Sequence, residues 1–122
     1  MYLFFADRGS VQDGYYNYTG NWSDCPTGGE SECLQKMTTS TGNIISSLCP
    51  IDSNDLPICS AGVTRVDITF LRPETSANIV LFGAGGGQIS VFPYRGVEIN
   101  LASASGGKRS VRVYNTGQIS VN

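Results

Sequence analysis

From Val63 to Val121 the chain repeats one pattern: short stretches in which apolar and polar positions alternate, each closed by glycine, asparagine, serine or proline. Thr64-Arg65-Val66-Asp67-Ile68-Thr69-Phe70 is the clearest stretch. Side chains alternate across a strand, so Val66, Ile68 and Phe70 share one face and Arg65, Asp67 and Thr69 the other, which predicts a half-buried strand. Further strands are predicted over 78–82, 88–92, 97–101, 110–114 and 118–121. The turns between them centre on 85–87, 93–96, Gly106-Gly107 and Asn115-Thr116-Gly117. A spacing of roughly ten residues per strand is the rhythm of antiparallel meanders and sandwiches. The last turn is the best defined, because Asn and Gly tolerate positive φ and Val111, Val113, Ile119 and Val121 alternate around it.

The N-terminal half is less regular. Tyr2-Leu3-Phe4-Phe5-Ala6 is an apolar run that stops at Asp7-Arg8-Gly9, which suits a strand ending in a turn. Residues 9–32 carry Gly, Asn, Asp, Ser and Pro at high density around Tyr15-Tyr16-Asn17-Tyr18, which predicts a long excursion holding at most one short strand. Ser31 to Thr39 reads as one or two helical turns, and 43–48 as a strand. The expected fold is mainly β, an antiparallel head of two small sheets, with residues 1–122 forming one domain.

Composition agrees with that expectation. The 122 residues are 40% hydrophobic and only 15% charged, and the 15 glycines accompany abundant Ser, Thr and Asn in place of helix formers. The net charge of −2 gives no average attraction for nucleic acid or an anionic membrane. Neither a stretch of about 20 apolar residues nor a basic start before an apolar core is present, so the sequence predicts no transmembrane span and no signal peptide.

Cys25, Cys33, Cys49 and Cys59 all fall in the turn-rich part of the chain. Four cysteines allow three pairings. Cys25 with Cys33 and Cys49 with Cys59 is the favoured one, because it closes two short loops that regular structure would not otherwise hold. Each bond should contribute about 2–3 kcal/mol by restricting the unfolded chain. The spacings C-x7-C and C-x9-C lack a close zinc knuckle, and the chain has no histidine to complete a zinc site. Disulfides persist in oxidising compartments, so the domain is expected to work outside the cytoplasm.

Candidate chemistry is sparse. Without histidine neither a Ser-His-Asp nor a Cys-His arrangement can be built. Asp52, Asp55, Asp67, Glu74 and Glu98 show no spacing that pairs them, and each reads as a solvated surface group. No catalytic residue is assigned, and the expected job is binding or assembly. Gly83 to Gly87 is followed by a strand, not a helix, so it reads as a hairpin loop and not a phosphate cradle. The stretch from Asp7 to Gly14 faintly matches a calcium loop. With Asp7 and Asp13 as its carboxylates it lacks the third carboxylate and the terminal glutamate, and a plain turn is the better reading. Lys108, Arg109 and Arg112 lie together near the last hairpin, where Lys108 and Arg112 share a strand face that could meet phosphate or a carboxylate partner. Tyr15, Tyr16, Tyr18 and Trp22 would serve a carbohydrate-binding module or adhesin if exposed, and core packing otherwise.

From Thr64 onward the residues resemble a known family. Val66-Asp67-Ile68-Thr69-Phe70-Leu71-Arg72-Pro73-Glu74-Thr75-Ser76-Ala77 is similar to the strand, Arg-Pro turn and next strand of GspH/FimT-type minor pseudopilins. Lys108 to Val121 looks like that family's closing hairpin. Tyr2 to Asp7 and Ile44 to Cys49 are similar to segments that follow the family's N-terminal helix. The resemblance implies a β-rich head outside the cytoplasm, anchored in the inner membrane by an apolar helix that is absent from this chain. It implies a structural role in priming or capping a type IV pilus or a type II secretion pseudopilus, with other minor pilins or pseudopilins as partners and no cofactor. One branch of the family binds DNA through a basic motif beside the terminal hairpin. Here the matching turn reads Thr116-Gly117-Gln118-Ile119, without the glycine-arginine signature, so nucleic acid is not the favoured partner.

Overall fold

The computed structural model describes residues 2–7, 14, 16–18, 21, 24–25, 32–38, 42–70, 75–89 and 94–122. Nine strands are described: β1 Tyr2–Phe5, β2 Cys33–Met37, β3 Ile44–Ile51, β4 Val63–Phe70, β5 Ala77–Gly83, β6 Gln88–Ile89, β7 Gly96–Ala102, β8 Lys108–Tyr114 and β9 Ile119–Val121. They form three antiparallel sheets, ordered β1-β2, β3-β7-β8-β9 and β4-β5-β6. The fold is thus mainly β and antiparallel, with a small two-stranded sheet added to the two expected larger ones.

The four-stranded and three-stranded sheets face each other across the apolar core. Alternation selects Ala77, Ile79 and Leu81 from β5, Val97 from β7 and Val113 from β8 for the fully buried cluster, with Val66, Ile68, Ile89 and Val111 packed against it. A register shift between Val63 and Arg65 lets Val63 reach the same face as Val66. One extra residue in a strand redirects every side chain beyond it. Phe70, read as part of the buried face, ends β4 and is 53% exposed.

Turn chemistry sets the hairpins. Gly83 and Gly87 close the β5–β6 turn through a backbone bond of 2.8 Å, so the glycine run is a hairpin loop. Gly117 carries a φ of 93°, and any Cβ there would run into the carbonyl oxygen of Thr75. The β8–β9 turn therefore sits directly on the approach to β5, and Ala77 N–H donates to Asn115 O at 3.0 Å beside it.

Both disulfides form as favoured, Cys25–Cys33 with Cα atoms 5.3 Å apart and Cys49–Cys59 with 4.4 Å. They assign the chain to an oxidising, extracytoplasmic environment. No helix among the described residues is long and apolar enough to cross a membrane.

The helical turns expected over Ser31 to Thr39 are replaced by β2, which pairs with β1 from Tyr2↔Met37 to Phe5↔Cys33. Leu34, Gln35, Lys36 and Met37 are intrinsic helix formers, but propensity is a weak prior that tertiary pairing overrides. An apolar strand beside them and a disulfide at Cys33 decide the outcome. Of the strand expected over 88–92, residues 90–92 lie outside the described residues.

Candidate functional site

The outer face of the three-stranded sheet was expected to be solvated, and it is covered instead. Arg65, Asp67 and Thr69 lie opposite Phe82, Val80 and Asn78, and a strap formed by Gly14 and residues 16–18 crosses them. Tyr16 N–H donates to Asp67 Oδ2 at 2.8 Å, and Arg65 donates to Tyr16 O at 3.1 Å. Thr69 Oγ1 and Asn78 Nδ2 both donate to Gly14 O, at 3.0 and 3.1 Å. Gly14 has a φ of 85° and lies so close to Asn78 Nδ2 that a side chain there would collide with it. The positive φ favours glycine, and a larger residue would also have to displace the Asn78 amide that holds Gly14 O.

Arg65 and Asp67 form the centre of this cover. Two guanidinium nitrogens reach the carboxylate, at 2.8 and 2.5 Å, with side chains 13% and 6% exposed. The guanidinium also stacks 4.1 Å over the Phe82 ring and 5.2 Å from Tyr18. Burial works against the Arg65 charge, but the hydrogen bonds and charge of Asp67 outweigh it, and its pKa rises above the ordinary value. Burial raises the Tyr16 phenol, partly offset by Arg65.

On the four-stranded sheet the outer face is covered by the loop that Cys49–Cys59 closes. Asp52 Oδ1 accepts from the N–H groups of Asn54 and Leu56 at 2.8 and 2.9 Å, which shapes the loop tip. Ile58 N–H donates to Pro50 O at 2.7 Å, so Pro50 turns its carbonyl away from β7 and its missing N–H does not interrupt the ladder. Arg112 Nε donates to Glu98 Oε2 at 2.7 Å, and its Nη1 lies 3.6 Å from Asp55 Oδ2. Tyr114 Oη donates to Asp55 Oδ1 at 3.0 Å. The hydrogen bonds to Tyr114 and Glu98 raise the Arg112 pKa.

These contacts reassign several sequence-derived sites. Asp67 and Glu98 are buried ion-pair partners, not solvated acids. Of Lys108, Arg109 and Arg112, Arg112 lies opposite Glu98 and pairs with it, while Lys108 and Arg109 stay exposed opposite Ala102 and Leu101. Asp7 Oδ2 accepts the Gly14 N–H at 2.6 Å, so this carboxylate holds the strap; Asp13 lies outside the described residues. Tyr16 is buried and Tyr18 is 42% exposed, whereas Tyr15 and Trp22 lie outside the described residues.

Sequence reasoning missed a groove of about 690 Å³ between the facing edges of β3 and β4. Tyr2, Leu3 and Phe5 of β1 line it, with residues 44–48 of β3, residues 63–68 of β4, Tyr16 and Ile99. The core-facing residues there, including Val66, Ile68, Leu48 and Ile99, are only half-buried, so the gap between the sheets stays unfilled on this side. Among the described residues β3 pairs with β7, apart from a single bridge from Ile51 to Pro57, and β4 pairs with β5, so residues 44–48 and 63–68 lie on sheet edges. A sequence can announce each strand, but it gives no sign of which two edges will meet.

No protein-family model, curated protein or solved structure matches the chain.

Proposed function

We propose that this chain is the extracytoplasmic head of a minor pilin or pseudopilin, a structural subunit in the tip or initiation complex of a type IV pilus or type II secretion pseudopilus. The residues that resemble that family support the identity, and the groove between two sheet edges is the observation that carries an assembly role. An edge offers unpaired backbone donors and acceptors to another chain. Two buried carboxylates are spent on the fold as ion pairs: Asp67 with Arg65, and Glu98 with Arg112. The head supplies surface, not reactivity.

The test is the gene together with its product. The reading frame upstream of Tyr2 is expected to encode a prepilin peptidase site and an apolar helix of about 20 residues. In-cell crosslinking of the full product should recover filament subunits. A cleavable secretory signal and release of the free head into the medium would overturn the proposal.

A DNA-binding minor pilin is the second reading, favoured only by the exposed Lys108 and Arg109 at the β7–β8 turn. It requires affinity for duplex DNA that falls steeply with salt. Removing Arg112 from the available cations weakens it.

A further inference from the structure

We propose that the Cys49–Cys59 disulfide is a directed thiol-exchange site. An external thiolate attacks Cys59 Sγ, stays attached there as a mixed disulfide, and releases Cys49 as a thiolate between two hydrogen-bond donors that hold its charge. The site is independent of the filament reading and goes beyond it.

The two sulfurs differ in access. Cys49 lies in β3 and is fully buried, whereas Cys59 follows the loop and is exposed. Exchange runs in line with the bond that breaks, so the incoming sulfur must reach the far side of the one it attacks. For attack at Cys49 that side lies inside the protein. For attack at Cys59 it lies toward solvent.

The leaving sulfur is met by donors. Asn100 Nδ2 lies 3.4 Å from Cys49 Sγ, and Ser47 Oγ lies 3.6 Å from it. In the disulfide Cys49 has no proton to give, so the Ser47 hydroxyl is the donor of that contact. Asn100 fixes this direction, because Nδ2 also donates to Ser47 Oγ at 3.0 Å and leaves the hydroxyl hydrogen free for the sulfur. The three side chains meet because β3 and β7 place Ser47 opposite Asn100, and alternation puts Cys49 on the same face as Ser47. A disulfide sulfur is a weak acceptor and a thiolate a strong one, so both contacts gain most as charge develops on Cys49. That is the logic of an oxyanion hole applied to sulfur. Glu98, opposite Cys49 in the same strand pair, would oppose the charge, but Arg112 neutralises it at 2.7 Å.

In the exchange, a bond forms between the external sulfur and Cys59 as the Cys49–Cys59 bond breaks. The electron pair stays on Cys49 Sγ, and nothing is oxidised or reduced overall. The loop contacts of Asp52 and the bond from Ile58 N–H to Pro50 O remain, so the freed Cys49 stays beside the adduct. Its thiolate can attack Cys59 again and expel a monothiol. A dithiol carries a second thiolate of its own, which attacks the sulfur already attached and releases Cys59 as a thiolate. The dithiol is then oxidised by two electrons to a cyclic disulfide, and the protein bond is reduced by two.

The experiment treats the oxidised chain with reduced glutathione as a monothiol probe and with a short Cys-x-x-Cys peptide as a dithiol probe. Acid quenching, alkylation of free thiols and mass spectrometry locate the products. Glutathione should sit on Cys59 with Cys49 alkylated, exceeding the reverse adduct about ten-fold or more. The dithiol should leave both cysteines alkylated without a lasting adduct. The rate should rise linearly with thiol concentration. Ser47→Ala and Asn100→Leu should each slow exchange about three-fold or more, while Ser47→Thr, which keeps the hydroxyl, should hold the rate. Destabilisation cannot imitate this slowing, because a looser fold exchanges faster. Adducts shared equally between the two cysteines, or a rate independent of thiol concentration, would assign the exchange to unfolded molecules and overturn the proposal. An unreactive bond would overturn it too, and so would wild-type rates in both Ser47→Ala and Asn100→Leu.

Discussion

The two large sheets solve the same problem on their outer faces in different ways. Each lays an irregular segment over itself, and each fixes that segment with an arginine and carboxylates. On the three-stranded sheet the pair is Arg65–Asp67, 13% and 6% exposed, sealed by aromatic rings. On the four-stranded sheet Arg112 divides itself between Glu98, 11% exposed, and Asp55, 49% exposed. The first cover is held by buried electrostatics, with its disulfide at Cys25–Cys33 lying off the sheet; the second has a covalent tie, Cys49–Cys59, rooted in the sheet itself. Burial, not the number of ionic contacts, should decide how much each cover depends on its charges.

The sharpest break is Asp67→Ala. It removes the acceptor of the Tyr16 N–H and leaves the Arg65 guanidinium buried without its anion. Breaking a buried pair by deleting one partner costs about 3–5 kcal/mol, because the remaining charge is uncompensated. Denaturant unfolding should show a loss of that size, and amide exchange at residues 16–18 should accelerate. A loss below about 1 kcal/mol would put this pair in the class of surface bridges.

Replacing Cys49 and Cys59 together by Ala comes next. The bond spans 10 residues, and the loss should be about 2–3 kcal/mol. The loop should keep its shape, since the Asp52 cap and the Ile58 to Pro50 bond remain. A shape lost outright, read as vanished exchange protection at Ile58, would show that the polar contacts are not sufficient.

Alkaline pH sharpens the same contrast, because the strap carries the buried phenol and the loop does not. Burial raises the Tyr16 pKa above its ordinary 10.0. The folded chain therefore holds this proton where the unfolded chain has released it. Stability is full below pH 10 and declines as pH rises through the folded value. Tyr16→Phe removes the ionisation and should flatten that decline; an unchanged slope of stability between about pH 9 and 11 would assign it to other groups.

How legible this was in the sequence follows from the range of the forces involved. The strands from Val63 onward show in alternation, and the disulfides in cysteine spacing, because both are local patterns. β2 did not show, since Leu34 to Met37 favour helix and only the distant Tyr2 to Phe5 make them a strand. The covers did not show either. Asp67 accepts from a residue 51 positions away, and Tyr114 reaches Asp55 across 59. Alternation correctly put Arg65, Asp67 and Thr69 on the face away from the core, but period-2 reasoning equates that face with water. The one local clue was the density of polar side chains opposite a segment rich in tyrosine, which is what a strap needs to hydrogen-bond.

The smallest expected effect tests the other end of the comparison. Asp55 is exposed, yet it accepts from Tyr114 and sits 3.6 Å from Arg112, so by contact count it looks as important as Asp67. Water screens it, and Arg112 keeps Glu98 at 2.7 Å when Asp55 is gone. Asp55 also holds a φ of 66°, a conformation that Asp tolerates and most residues resist. Asp55→Asn retains that tolerance while removing the charge, and exposed pairs contribute about 0–1 kcal/mol, so its cost should stay in that range. Asp55→Ala should cost more than Asp55→Asn, by the backbone strain alone. In a double-mutant cycle the coupling of Asp55→Asn with Arg112→Gln should fall well below that of Asp67→Asn with Arg65→Gln. Equal couplings would mean that solvent exposure does not separate the two covers, and the difference between them would then have to lie in the disulfides.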